Sequence, residues 1–328
     1  SKEFFLWQVL WNVLGLGLVF IFSRLDWRWL ASHPLLSHSF YVLSFVLVAF
    51  TLFFAEPIRG VRGWVTVGPF HLQPSELVKA AMILVYAGFF QKRHLEASLF
   101  SNIFVSFLYF LAPSILISRQ PDLGTVLVLF VIWSSFLLFI GIRPKRLAIG
   151  AVIFLLVSLI LWFGLLRPYQ KDRIIGFIFP SIDPLGVNYN VIQSKIAVGS
   201  GGLFGKGFGL GTQSHLGFLP EAETDFLFAA FVEEWGFFGG FLLVLIFLFV
   251  VWRIGEIGKN AAGNYGKFIC LGAVLVLGAQ LLFNVGSNLG FYPVIGVTFP
   301  FFSYGGSSLL TLSMLVGIIH NIARQPSF

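Results

Sequence analysis

Cysteine and charged side chains are both scarce in this chain of 328 residues. Its single cysteine, Cys270, excludes an internal disulfide bond and gives no information on the redox compartment. Charged residues make up only 11% of the chain, whereas hydrophobic residues make up 57% and include 41 phenylalanines. A soluble domain of this composition would be an outlier. The scarcity of charge therefore indicates an integral membrane protein.

Sequence motifs of common catalytic and metal sites are absent as well. The six histidines show no spacing typical of metal ligands and there is no HExxH motif, so we expect no protein-held metal. No GxSxG motif supports a Ser-His-Asp arrangement, although composition alone does not exclude one. The glycine run GSGGLFGKG is not a P-loop, because Lys206 is followed by Gly207 rather than by Ser or Thr. Its backbone amides and Lys206 can still bind a phosphate, and the alternative interpretation is a flexible interfacial turn.

Long apolar runs recur along the whole chain and are long enough to cross a hydrocarbon core of about 30 Å. Because lipid offers the backbone no hydrogen-bonding partners, such runs must be helices, and a β-barrel would show short alternating strands instead. The sequence therefore predicts an all-α, polytopic membrane helical bundle that forms a single domain over residues 1–328. Nine spans are predicted, at 5–23, 37–55, 75–90, 101–118, 122–142, 147–166, 226–252, 267–288 and 303–322.

The formal net charge of +7 is distributed unevenly between alternate loops, which argues for a membrane topology and against nucleic-acid binding. The positive-inside rule places the more basic loops and the C-terminus in the cytoplasm. That side carries 11 of the 21 Lys and Arg residues, namely Arg24, Arg28, Lys92, Arg93, Arg143, Lys145, Arg146, Arg253, Lys259, Lys267 and Arg324. The short loops of the other side carry four, namely Lys2, Arg59, Arg62 and Arg119.

The segment 167–225 is the longest connection between predicted spans, and this topology makes it an extracellular loop. Connections of this length are usually either functional or disordered. Its content of Ile, Phe, Leu and Tyr is that of a folded segment, so we expect short interfacial helices that lie over the bundle. Because the inner loops are short and basic, we expect any chemistry to take place at the outer face.

Acidic residues are concentrated where this loop meets the next span. Five of the chain's 14 carboxylates lie within residues 221–234, and charge at a membrane boundary often marks a functional site. Asp225 is the candidate general base for a hydroxyl group, with a favourable charge at a helix N-terminus as the structural alternative. Glu233 and Glu234 lie about 12 Å further along the helix, where one of them is expected to support Asp225. The cations expected to stabilise a phosphate leaving group are Arg62, Lys195 and Lys206.

Two further motifs start predicted spans. In QPSEL and the two residues after it, Glu76 and Lys79 are spaced for an i, i+3 ion pair, and the alternative role of Lys79 is to bind an anionic head group. In PDLGT, Asp122 is expected to cap the helix that follows. The residues alone thus indicate an outward-facing membrane enzyme or transporter that acts on an anionic lipid.

Five motifs follow one another along the chain: GPFHLQPSELVK (68–79), QPDLGT (120–125), DPLGVNYNVIQSKIAVGSGGLFGKGFGLGTQS (183–214), FLPEAETDFLFAAFVEEWG (218–236) and PFFSYGGSS (300–308). Together they resemble the SEDS family of peptidoglycan glycosyltransferases (shape, elongation, division and sporulation) over nearly the whole chain. The long-loop sequence, IQSKIAVGSGGLFGKG followed by GTQSHLGFLPE, is more similar to the elongation (RodA-type) members than to the division (FtsW-type) members.

This resemblance implies polymerisation of lipid II at the outer face of the bacterial cytoplasmic membrane, with Asp225 as the base. A GlcNAc 4-hydroxyl attacks the anomeric carbon of MurNAc, and undecaprenyl pyrophosphate leaves with inversion to a β-1,4 linkage. The resemblance further implies a class B penicillin-binding protein (a transpeptidase) as partner, and no cofactor other than a divalent cation such as Mg at the pyrophosphate. The alternative functions are a lipid II flippase and a division-type member of the same family. Positions that match family motifs, and are expected to bind substrate or hold the loop, are Glu76, Lys79, Asp122, Lys195, Lys206 and Ser303.

Two features differ from the family pattern. Family members usually have ten spans, and this chain begins where the second is expected, so that the first is apparently missing. The usual Arg-Trp before the QPSE motif reads Arg62-Gly63-Trp64, with the arginine displaced by one position.

Overall fold

A computed structural model describes residues 2–58, 60–68, 70–93, 99–141, 145–146, 149–150, 152, 163–164, 168–179, 186 and 188–325. Its residues fall into two compact units. Unit 1 comprises Ser1–Ile140, Phe247–Gln280 and Pro300–Phe328, and unit 2 comprises Gly141–Ile246 and Leu281–Phe299.

Helices dominate the described chain, as the sequence predicts. In chain order they are α1 (Lys2–Arg24), α2 (Trp27–Ser32), α3 (Pro34–Phe54), α4 (Pro74–Arg93), α5 (Phe100–Arg119), α6 (Leu123–Phe139), α7 (Pro168–Ile178), α8 (Tyr189–Ser200), α9 (Thr212–His215), α10 (Leu227–Lys259), α11 (Asn264–Asn288) and α12 (Gly306–Arg324). Two strands, β1 (Val65–Val67) and β2 (Phe70–Leu72), lie between α3 and α4.

Six of the described helices are long and apolar enough to cross a membrane: α1, α3, α5, α10, α11 and α12. They confirm six of the predicted spans, and α10 continues to Lys259, beyond the predicted end at residue 252. Helix α6 is a shorter apolar helix that matches the predicted span at 122–142, and α4 occupies the predicted span at 75–90. The predicted span at 147–166 lies almost entirely outside the described residues.

The strands β1 and β2 form an antiparallel hairpin, in which Val65 is opposite Leu72 and Val67 is opposite Phe70. This hairpin is a departure from the all-α prediction. The β-branched residues of β1 favour an extended backbone. Gly68, with φ of 59°, provides the left-handed conformation at the turn. Only six of the described residues are in strands, so the described fold is otherwise that of a helical membrane protein.

Helix α4 is the most enclosed element of unit 1. Every residue from Val78 to Ala87 is buried, and α4 packs against α3, α5, α6 and α12. A helix that is apolar on all sides is stable only when neighbouring elements surround it. Helix α12 also packs along α1. The start of α4, which carries the QPSEL motif, is therefore held within a helical core.

The described part of the predicted long loop contains three helices, α7, α8 and α9, as expected for short helices in this segment. It ends in a series of turns over residues 221–226, immediately before α10 begins at Leu227. Asp225 therefore lies two residues before the helix rather than in its first turn.

Candidate functional site

Asp225 is held at the start of α10 by two asparagines of α11. The side-chain amides of Asn284 and Asn288 each donate to the Asp225 carbonyl oxygen, both at 2.9 Å. The Asn288 side-chain oxygen accepts from the backbone N–H of Ala229, at 3.0 Å, and so satisfies one of the N-terminal donors of α10. Asn284 and Asn288 are fully buried. The position of Asp225 is thus determined by side chains from a neighbouring helix.

The carboxylate of Asp225 faces the connection that follows α11. A Cβ atom placed on Gly296, whose φ is 71°, would stand 3.7 Å from Oδ2 of Asp225. Asn284 also donates to the carbonyl oxygen of Val297, at 2.8 Å, so one amide group links both sides of this small site. Asp225 itself is half-buried. A partly solvated carboxylate in a rigid backbone setting is suited to accept a proton from a bound hydroxyl group.

Lys195 is brought to the same end of α11. Its side chain is exposed and lies over Gly290, where any Cβ would overlap it. The hydroxyl of the preceding residue, Ser194, is buried and donates to the carbonyl oxygen of Asn288 at 2.8 Å. Asp225 and Ser194, the neighbour of Lys195, are therefore both bonded to Asn288. Unit 2 thus brings the predicted acid Asp225 and the segment that carries Lys195 to the same residue of α11.

Glu233 binds the glycine-rich loop rather than supporting Asp225 directly. Its carboxylate is completely buried and pairs with Nζ of Lys206 at 2.8 Å. It also accepts from the backbone N–H groups of Gln213 and Ser214, at 2.9 and 3.2 Å, and from the hydroxyl of Thr212 at 3.2 Å. Both oxygens of this buried carboxylate therefore have hydrogen-bond donors. These contacts of Glu233 hold residues 206–214 against α10.

The backbone of the glycine run is also bonded to α10. The N–H groups of Lys206 and Gly207 donate to the carbonyl oxygens of Glu233 and Glu234, each at 3.0 Å. At Gly236 the φ angle is 71°, which interrupts the regular geometry of the helix and opens its carbonyl groups to the loop. These amides are therefore engaged within the protein. The glycine run is therefore an ordered connection to α10. It is not a flexible turn, and these two amides do not form a phosphate-binding loop.

Glu76, Lys79 and Asp122 come together in unit 1. Nζ of Lys79 bonds to Oε1 of Glu76 at 2.7 Å, and both side chains are buried, which confirms the predicted i, i+3 pair. Asp122 caps α6 by accepting from the N–H of Thr125 at 3.0 Å, as predicted. Its second oxygen accepts from the hydroxyl of Ser75 at 3.4 Å. This cluster joins the starts of α4 and α6.

The remaining predicted residues occupy separate positions. Arg62 is exposed, just before β1, and Ser303 is buried in the turn that precedes α12, in unit 1 like Arg62. Glu234 pairs with Nε2 of His215 at 2.9 Å, on the side of α10 that meets α9. Among the described residues, no three His, Cys, Asp or Glu side chains are grouped as metal ligands.

Sequence reasoning overlooked the two asparagines of α11 and a serine of α12. Ser307 accepts from the backbone N–H of Gln73 at 2.8 Å and donates to the carbonyl oxygen of His71 at 3.1 Å, and so connects α12 to β2 and the start of α4. Asn284 and Asn288 are spaced i, i+4 inside a predicted span. Two amides on one face of a membrane helix are a sequence signal that was available for them.

Comparison with known proteins places these motifs in a family. The family model for cell cycle proteins of the FtsW, RodA and SpoVE type matches residues 1–327. The peptidoglycan glycosyltransferase MrdB of Escherichia coli K12 is 37% identical over 283 residues, covering 86% of this chain and 76% of that protein. Stage V sporulation protein E of Bacillus subtilis is 38% identical over 328 residues, covering 98% of this chain and 87% of that protein.

Solved structures agree with this assignment. One chain of a peptidoglycan synthase complex, studied for its coordination of polymerisation and crosslinking, matches with a TM-score of 0.83 and 30% identity, covering 99% of this chain and 90% of that one. The rod shape determining protein RodA of Thermus thermophilus matches with a TM-score of 0.68 and 26% identity, covering 97% and 86%. On sequence and on fold, the chain belongs to the FtsW/RodA/SpoVE (SEDS) family of cell cycle proteins.

Proposed function

We propose that this protein is an inverting peptidoglycan glycosyltransferase that polymerises lipid II at the outer face of the bacterial cytoplasmic membrane. The names of its relatives support the reaction class. The observation that carries the proposal for this chain is the anchored position of Asp225, which two buried asparagines hold at the boundary between the long loop and a candidate span. A carboxylate at that boundary can meet a sugar hydroxyl that arrives from the aqueous side.

In the proposed reaction, Asp225 accepts the proton of the 4-hydroxyl group of the acceptor GlcNAc. The oxygen then forms a bond to the anomeric carbon of the donor MurNAc, while the bond from that carbon to the pyrophosphate oxygen breaks. Undecaprenyl pyrophosphate leaves with the bonding electrons, and the α-linked donor becomes a β-1,4 product. An inverting transfer of this kind requires one base on the side of the attacking oxygen.

We propose Lys195 as the principal cation for the pyrophosphate. It is exposed, and the preceding residue, Ser194, bonds to Asn288, which also holds Asp225. Lys79 and Lys206 are each paired with a buried glutamate, so we assign them to positioning the starts of α4 and α10. In the part of the chain that the structure describes, no three His, Cys, Asp or Glu side chains could together hold a divalent cation. Such a cation would be carried mainly by the pyrophosphate oxygens, as Mg²⁺ commonly is.

We also propose a class B penicillin-binding protein as the partner and a cytoplasmic C-terminus. The similarity to a chain of a peptidoglycan synthase complex supports the partner, and the basic loops support the orientation. The similarity of the long loop to elongation-type members favours a role in rod shape. Restoration of rod shape, rather than of septation, in cells depleted of each activity would distinguish elongation from division.

The test is lipid II polymerisation by the purified protein with its partner, comparing the native protein with Asp225→Asn. Loss of a general base lowers rates by about 10²- to 10⁴-fold, so we expect a kcat reduced by at least 10²-fold. Glu223→Gln is the matched control, because Glu223 is an exposed acid two residues away, and its rate should stay within about twofold of native.

Normal polymerisation by Asp225→Asn would refute the role of the aspartate. If the native protein formed no glycan but moved lipid II between the leaflets of a vesicle, the protein would be a flippase instead.

A further inference from the structure

A cleft in unit 1 lies between the C-terminal halves of α10 and α12, and none of its lining residues belongs to the proposed reaction. It has a volume of about 320 Å³, and its walls are almost entirely apolar, with Val250 and Ile254 on α10 and Val316 and Ile319 on α12. This volume is at the lower end of the range for ligand sites. An apolar lining of this kind suits a hydrocarbon chain rather than a sugar or a nucleotide.

The cleft opens on a surface of exposed apolar side chains. Phe249 and Val250, which contribute to its edge, are 60% and 39% exposed. Both belong to α10, a helix long and apolar enough to span the membrane. Large apolar side chains exposed on such a helix are in contact with lipid tails. An acyl chain can therefore enter the cleft sideways from the bilayer without crossing water.

Two basic residues, Arg253 and His320, are also among those that line this cleft. Arg253 lies six residues before the end of α10 at Lys259, which is about 9 Å along the axis, and His320 lies four residues before the end of α12. Long cationic side chains near the end of a membrane helix extend toward the head-group interface.

Arg253 is available to bind an anion. Glu256, the one acid in the last two turns of α10, is paired with Lys259 at 2.7 Å. No ion pair is formed by Arg253 within the described part of the chain. The C-terminal dipoles of the two helices disfavour an anion to some degree. The full positive charge of Arg253 outweighs those partial charges.

We propose that this cleft binds an anionic phospholipid of the cytoplasmic leaflet. One acyl chain lies between α10 and α12, and the phosphate accepts hydrogen bonds from the guanidinium group of Arg253, with His320 beside it. Basic pockets between membrane helices on the cytoplasmic side are a recurrent way of binding such head groups. The cleft is separate from the proposed catalytic residues, so a failure of this proposal leaves the glycosyltransferase proposal intact.

The test is native mass spectrometry of the purified protein with dioleoyl phosphatidylglycerol or dioleoyl phosphatidylcholine, which carry the same acyl chains. We expect the native protein to retain phosphatidylglycerol preferentially. Arg253→Gln should lower that retention about fivefold, as expected for one lost cation at a lipid surface, and leave phosphatidylcholine unchanged. Ala323→Trp, which fills the rim, should lower retention of both lipids. Arg324→Gln is the matched control, an exposed cation outside the cleft, and should change retention less than twofold.

Arg253→Lys should keep most of the preference, which separates loss of charge from misfolding. Equal retention of the two lipids by the native protein, or unchanged retention by Arg253→Gln, would overturn the proposal. A photo-crosslinker at Phe249 that joined a protein rather than a lipid in cells would also overturn it, since a partner's helix would then occupy the cleft.

Discussion

The substitution Asn288→Ala tests how the position of Asp225 is maintained. It removes one of the two amide donors to the Asp225 carbonyl oxygen and the side-chain acceptor for the N–H of Ala229. Ala229 is fully buried, so its N–H group is left without this acceptor in a low-dielectric setting. An unsatisfied buried donor costs about 1–3 kcal/mol, and a second lost hydrogen bond costs about 1 kcal/mol. We expect a destabilisation of roughly 2–4 kcal/mol.

The same substitution should also slow catalysis. A displacement of about 1 Å at a reacting group can reduce the rate about 10²-fold, so kcat for lipid II polymerisation should fall by at least tenfold. KM should change little, because Asn288 is buried and does not meet the substrate. The more conservative Asn288→Asp keeps an acceptor for Ala229 but loses the amide donor to Asp225. It should therefore retain more stability than Asn288→Ala while remaining slow.

The matched control is Gln280→Met, on the same helix. Gln280 is fully buried, and neither its side-chain oxygen nor its nitrogen has a hydrogen-bond partner among the described residues. Replacing such a group with an apolar one of similar shape is neutral or stabilising. If Asn288→Ala unfolded at the native temperature, the hydrogen-bond reasoning would be wrong. If it unfolded earlier but kept the native kcat, the asparagine would support the fold without positioning Asp225.

Three further predictions concern the contacts at the start of α4 and in the first turns of α10. Lys79→Met should destabilise unit 1 by about 3–5 kcal/mol, because it leaves the buried Glu76 carboxylate without its cation. The unfolding temperature should fall accordingly, and adding Glu76→Gln should restore part of it. Glu233→Ala should expose the glycine-rich loop to limited proteolysis, whereas Glu233→Gln, which keeps an acceptor for the loop amides, should resist it better. Gly236→Ala should abolish folding or lower the purified yield severely, because the φ angle is positive and a Cβ would collide with the backbone of Gly205. A normal yield and unfolding temperature would show that the contact between the glycine run and α10 can rearrange.

The sequence predicted best those features that depend on near neighbours in the chain. Apolar runs identified the spans, since each run must form its own backbone hydrogen bonds in lipid. The Glu76–Lys79 pair and the Asp122 cap were predictable because their partners are three residues away. The hairpin of β1 and β2 was missed, because six residues are too short to give a clear alternating pattern.

Contacts between distant segments were not predictable. Glu233 was expected to support Asp225, but its carboxylate is taken up by donors 19–27 residues earlier in the chain. Helical periodicity places Glu233 on a face of α10 but contains no information on which loop will cover that face. The choice of Lys195 over Lys206 as a free cation likewise depended on seeing which lysine was already paired.

The anchoring of residue 225 through its main chain has a genetic consequence. Both asparagine amides bind a backbone carbonyl oxygen, which every amino acid possesses, so the anchor does not depend on the side chain at that position. A copy that had lost the carboxylate would still fold, enter the membrane and make the same contacts with its neighbours as an intact copy. In a cell that carries both versions, we expect the inactive one to interfere with growth as a dominant allele, in proportion to its expression.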